Sequence, residues 1–164
     1  MSFRKLYEIG FLLVLVFGIL ADQTPADLGL GKLEKKENFI KVTYKSETVY
    51  PNGFGNGYRN GTDHIKIGNE TFNISDPLTI GANEAIEIHF KEPIKSLSNF
   101  FGYFSTFKTG DENVKNIISV DFTNFNSSKV EEVISMFEGC TSIEEINFNN
   151  FQTSGKIRNM SRIF

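Results

Sequence analysis

Tryptophan is absent from this 164-residue chain and cysteine occurs once, at Cys140. A single thiol excludes an internal disulfide. It leaves a small apolar residue or a link to another chain. Histidine occurs twice. His64 and His89 lie far apart in sequence without metal-ligand spacing, so no metal and no cofactor is expected. No histidine is set locally between a carboxylate and a serine, so no serine triad is legible. The formal net charge of -3 gives no electrostatic footprint for nucleic acid. The acidic pairs Asp111-Glu112, Glu131-Glu132 and Glu144-Glu145 are immediate neighbours. Neighbours on a strand point to opposite faces, so these read as solvated surface. The run Gly53, Gly55, Gly57 and Gly61 lacks a following helix and reads as a hairpin loop, not a phosphate loop. Nothing here calls for an enzyme.

What is present is phenylalanine, 17 residues of it, in a chain whose hydrophobic share of 40% argues against disorder. Leucine is scarce after the leader, and Phe and Ile stand in its place. Met1 to Glu8 carries Arg4 and Lys5. Ile9 to Leu20 is apolar and Ala21 follows, which describes a secretory signal over 1–21. The apolar run is short of the ~20 residues of a comfortable membrane span. Uncleaved, it would make a signal anchor, the one case in which a membrane is a partner. Cleavage after Ala21 removes Arg4, Lys5 and Glu8 and takes the net charge to -4. No second apolar run and no lipid-anchor signal follow.

Residues 22–38 have no clear period and read as a linker. Residues 39–84 read as a β-rich N-terminal cap. Phe39 to Lys45 alternates, Tyr50-Pro51-Asn52-Gly53 reads as a turn, and short strands follow at His64–Ile67, Glu70–Ile74 and Pro77–Ile80. Ala85 to Phe90 alternates cleanly, and Pro93 is placed to open a helix-like segment. Phe101 to Asn116 reads as an inserted loop with aromatic anchors.

From there one pattern recurs. Ile117, Val120, Phe122 and Phe125 are matched by Ile143, Ile146, Phe148 and Phe151 at a spacing of about 26, inside the range of leucine-rich repeats. Each quartet leads into a second apolar set. In the first copy it is Val130, Val133, Met136 and Phe137, and in the second Ile157, Met160, Ile163 and Phe164. Ile94, Leu97, Phe100 and Phe101 form a weaker upstream copy. The front of each unit alternates like a strand. The rear, with apolar residues at i, i+3, i+6 and i+7, has helical spacing. Ser128 and Glu131 make a capping box, and Gly139 can end the helix. The expectation over 85–164 is therefore an α/β, leucine-rich-repeat-like solenoid, with a strand plus a short helix per repeat, behind its β-rich cap. It ends on an apolar ladder position, as a truncated array would.

The string Val130 to Ser142, with Met136-Phe137, Gly139-Cys140, Thr153-Ser154 and Asn159-Met160 in fixed order, resembles the BspA-like leucine-rich-repeat surface proteins. Gly155 is an extra residue, and Ile163 replaces a usual Met. The resemblance covers Ile117 to Phe164 well and Ile86 to Phe164 loosely. It implies a secreted or cell-surface protein that works in adhesion or recognition and has no catalytic activity.

If Val120 and Phe122 point inward, Ser119, Asp121 and Thr123 point outward. Glu145, Asn147 and Asn149 follow on the next strand, and Glu87 and His89 precede them. These eight residues are the candidate exposed binding face, for an extracellular or cell-surface protein partner. The alternatives are a glycan-directed extracellular enzyme, or a remnant of a longer surface protein. Sequons at Asn60, Asn69, Asn73, Asn126 and Asn159 are glycosylation candidates in a secretory route.

Overall fold

Period-two alternation sets the strands. β1 (Phe39–Tyr44) buries Ile40, Val42 and Tyr44 and turns Lys41 and Thr43 the other way. β6 (Ala85–Phe90) buries Ile86, Ile88 and Phe90 on the same inner side. β2 spans Thr48–Phe54, β3 Thr62–Ile67, β4 Glu70–Asn73 and β5 Leu78–Ile80. A 3-10 turn at Glu112–Asn116 leads into β7 (Ile117–Asp121), and β8 is Glu145–Asn147. The computed structural model describes residues 37–54, 61–101, 112–152 and 157–164. The leader, nearly all of the linker, Asn60, the glycine run between Phe54 and Gly61, the middle of the aromatic loop and residues 153–156 lie outside the described residues.

Six strands form one mixed sheet in the order β4-β3-β6-β1-β7-β8. Its pairings are antiparallel except β7–β8, which is parallel. Strands before and after residue 84 interleave, since β6 lies between β3 and β1. A two-stranded ribbon, β2–β5, adds Tyr50, Phe54, Leu78 and Ile80 to the same buried cluster. The Tyr44 and Tyr50 hydroxyls meet there at 3.2 Å, so neither is buried without a partner.

The far wall of the core is built from three stretches of chain that run side by side. Ser96 bridges to Glu132, and Glu132 to Asn159, both in parallel. Leu97 N–H donates to Glu132 O at 2.9 Å, and Val133 N–H to Asn159 O at 3.2 Å. Phe101 N–H donates to Met136 O, and Phe137 N–H to Ile163 O. Equivalent rings therefore lie on one another. Phe101, Phe137 and Phe164 stack at 5.4 and 5.7 Å, and Phe122 and Phe148 at 5.3 Å with planes 4° apart. Phe122 and Phe137 are almost wholly buried in this stack. Phe148, Met160 and Phe164, on the last stretch, are exposed.

The expected α/β solenoid is not what forms. The protein is mostly β, with no helix of seven residues or more among the described residues, and its large sheet is mixed. The predicted helix over Val130 to Phe137 is a run of turns around one bridge. The N–H groups of Glu131, Val133, Ser135 and Phe137 bond to the stretches on either side instead of four residues back, and Ser135 sits at φ 50°, in the left-handed region that ends a helix. The capping box is absent too. Glu131 N–H donates to Lys95 O, and the Glu131 carboxylate faces Arg158 at 3.7 Å. The helix-like segment expected to open at Pro93 is, over 94–101, a run of bends and turns around one bridge. The turn expected at Tyr50-Pro51-Asn52-Gly53 lies inside β2. Proline is tolerated there because β2 has one partner strand only.

Truncating a buried ring should cost far more than truncating an exposed one. Phe122→Ala is expected to lower unfolding stability by about 3–5 kcal/mol. Phe148→Ala, on the open side of the same pair, should cost well under half of that. Urea denaturation of the two variants measures the difference.

Candidate functional site

The outer face of the six-stranded sheet is polar because every inward apolar residue is followed by one that points out. Register then brings the outward residues into rows. Lys66 lies opposite Glu87, Glu87 opposite Lys41, Lys41 opposite Asp121, and Asp121 opposite Asn147. Directly paired side chains on one face lie about 4.5–5.5 Å apart at Cβ. The row thus alternates in sign from β3 to β7 and ends on an amide. Next to it, Thr43 lies opposite Ser119, and Ser119 opposite Glu145.

A shallow depression of about 220 Å³ opens over β1, β7 and β8, lined by Lys41, Thr43, Ser119, Val120, Asp121, Glu145 and Asn147. Four of the eight candidate face residues, Ser119, Asp121, Glu145 and Asn147, meet in it. Two more hold its rim. Thr123 N–H donates to Asp121 Oδ1 at 2.8 Å, and Asn147 Nδ2 donates to Thr123 Oγ1 at 3.2 Å. Asn149 N–H donates to Asn147 Oδ1 at 2.9 Å. These bonds fix the directions of Asp121 and Asn147. Lys41 and Thr43 were not among the candidates. Their outward alternation was visible, but the pairing of β1 with β7 was not.

The remaining two candidates, Glu87 and His89, sit on the other half of the face. His89 is buried there, against the expectation of an exposed position. Its ring is covered by Phe39 at 4.9 Å and stacks on His64 at 4.5 Å with planes 12° apart. The two histidines are thus cross-strand partners on β3 and β6. His89 Nε2 lies 3.0 Å from Glu87 Oε2, and His64 Nδ1 lies 3.1 Å from Asp63 Oδ2. Glu37 reaches in from the chain entering β1 and faces Lys66 at 3.4 Å. Ligand atoms of Glu37, Glu87 and His89 all lie within 4.8 Å of one another, the one such three-residue group among the described residues.

Burial holds the His89 pKa below its ordinary value of 6.5. The charges of His64 and Lys66 act in the same direction, while the hydrogen bond and charge of Glu87 oppose it. His89 is therefore a neutral imidazole at pH 7.

Cys140 is buried, and its Sγ donates to Phe101 O at 3.1 Å. Of the sequons, Asn69, Asn73, Asn126 and Asn159 are exposed. Asn69 is in the β3–β4 turn, and Asn159 lies on the outer bridge, not in a helix. No protein-family model, no curated protein and no solved structure matches the chain.

The lowered His89 pKa fixes the sign of one pH effect. The unfolded chain takes up this proton near pH 6.5 and the folded chain only at lower pH. The stability due to His89 is then complete above 6.5, falls as pH drops below it, and levels off once folded His89 is protonated. In chelator, the urea midpoint should fall between about pH 7.5 and 5.5, and His89→Asn should remove part of that slope. An identical slope in the variant would contradict it.

Proposed function

We propose that this protein is a secreted or cell-surface recognition module that holds an extracellular protein partner against the outer face of its sheet, without chemistry of its own. One observation carries this: the row Lys66, Glu87, Lys41, Asp121 and Asn147 runs across five strands with alternating charge and opens into a polar depression. A face of alternating charge selects a partner by pattern and register, not by net charge. The leader-like Met1 to Ala21, the exposed sequons and the likeness of Val130 to Ser142 to BspA-like surface proteins agree with an extracellular place of work.

Asp121 and Glu145 both line the depression, which gives a glycan-directed hydrolase as the second reading. The two readings separate in one set of measurements. The chain without its leader should bind a cell surface saturably. Lys41→Gln and Glu145→Lys, both at exposed positions and neither setting like charges directly opposite one another, should weaken that binding about ten-fold or more with unchanged thermal unfolding. Retained binding in both variants would overturn the proposed face. Release of sugar by the unaltered chain, lost in Glu145→Gln, would favour the hydrolase.

A further inference from the structure

The geometry points to a divalent transition-metal site, of the kind that holds zinc, built by His89 Nε2 and the carboxylates of Glu87 and Glu37. This goes beyond the recognition role and lies at the Lys66–Glu87 end of the charged row, away from the depression. Glu87 and His89 are two residues apart on β6, so both side chains leave the same face. Phe39 of β1 pairs with His89, which brings Glu37, two residues earlier, to the edge of the same patch. The site is thus assembled from two segments of chain that antiparallel pairing already holds in place.

The distances suit a small ion. Bonds of about 2.0–2.1 Å in a tetrahedral shell put neighbouring donor atoms about 3.3 Å apart. His89 Nε2 and Glu87 Oε2 are 3.0 Å apart, and all three donor groups lie within 4.8 Å of each other. Slight spreading of the first pair and a small inward turn of Glu37 make room for the ion. The donor set is one imidazole nitrogen and two carboxylate oxygens. Imidazole suits zinc, copper, nickel and iron, whereas calcium and magnesium take oxygen. Three protein donors leave a fourth position for water, as in open zinc sites.

The surroundings supply the rest. His89 is held from two sides by the rings of Phe39 and His64, so its orientation is set before an ion arrives. His64 stacks in a nearly parallel plane, and parallel rings do not direct their nitrogens at one point. It therefore shields the site and is not counted as a ligand. Its Nδ1 is engaged with Asp63. The group opposing the ion is Lys66, whose Nζ faces Glu37 at 3.4 Å. That pair is solvent-accessible and weak, so Glu37 can exchange it for the metal. Bound metal would tie the chain entering β1 to β6.

Titration calorimetry of the full chain, stripped with chelator, tests this with zinc chloride and calcium chloride in separate runs. One equivalent of zinc should bind and raise the unfolding temperature, and calcium should bind at least ten-fold more weakly. Glu37→Gln removes an exposed ligand without touching the core and should weaken zinc about ten-fold or more. Lys66→Gln removes the competing cation and should tighten zinc about three-fold or more. No zinc binding by the unaltered chain, calcium bound as tightly as zinc, or zinc binding unchanged in Glu37→Gln would each overturn the site.

Discussion

The N–H groups of Val133, Ser135 and Phe137 donate to Asn159, Ser161 and Ile163 on the adjacent stretch of chain. Those of Leu97, Asn99 and Phe101 do the same to Glu132, Ile134 and Met136. A buried amide must find a partner, and one that is satisfied sideways cannot also close a helical turn. This choice decides the rest of the wall. Backbones that pair sideways lie about 4.8 Å apart, close to the spacing at which aromatic rings stack offset. Phe101, Phe137 and Phe164 fall into one column, and Phe122 and Phe148 into another. Flat rings repeat along such a column with little change of shape.

The same stacking makes the outer face. β8 can pair in parallel with β7 only if the stretches behind them advance together. β1 meets β7 on one side and β6 on the other. Lys41 is thereby placed between Asp121 and Glu87, so its charge is answered from both neighbours. The face divides into two halves around it. Toward β8 it is a shallow depression lined mostly by polar and charged side chains. Toward β3 it carries a buried imidazole ringed by carboxylates, which is a different chemistry on the same sheet.

Much of the strand pattern was legible because alternation is local. Phe39 to Tyr44, Ala85 to Phe90 and the recurrence of Ile117, Val120 and Phe122 as Ile143, Ile146 and Phe148 can be seen without coordinates. The spacing over Val130 to Phe137 predicts a helix that does not form, because apolar residues at i, i+3, i+6 and i+7 also suit an irregular stretch whose corners point inward. Asn99, Ser135 and Arg162 all take left-handed backbone, at φ 56°, 50° and 51°, and three such different residues leave no common signal. Gly53 suggested a turn. It is required instead by close approach, since a Cβ there would lie 2.3 Å from Ile74 O. Ser119, Asp121, Glu145 and Asn147 belong to the repeat, so their alternation with inward apolar residues is visible in the sequence. Lys41, Thr43 and the meeting of His64 with His89 depend on antiparallel register between distant segments. Register of that kind is a tertiary property, set by how whole strands pack.

The central claim is that 130–137 spends its backbone hydrogen bonds on neighbouring stretches. Nuclear Overhauser contacts in the isotope-labelled chain read this directly. The account predicts amide contacts from Val133 and Phe137 to the 159–163 segment, with ring contacts between Phe122 and Phe148. Sequential helical contacts through 130–137, with none to 159–163, would contradict it.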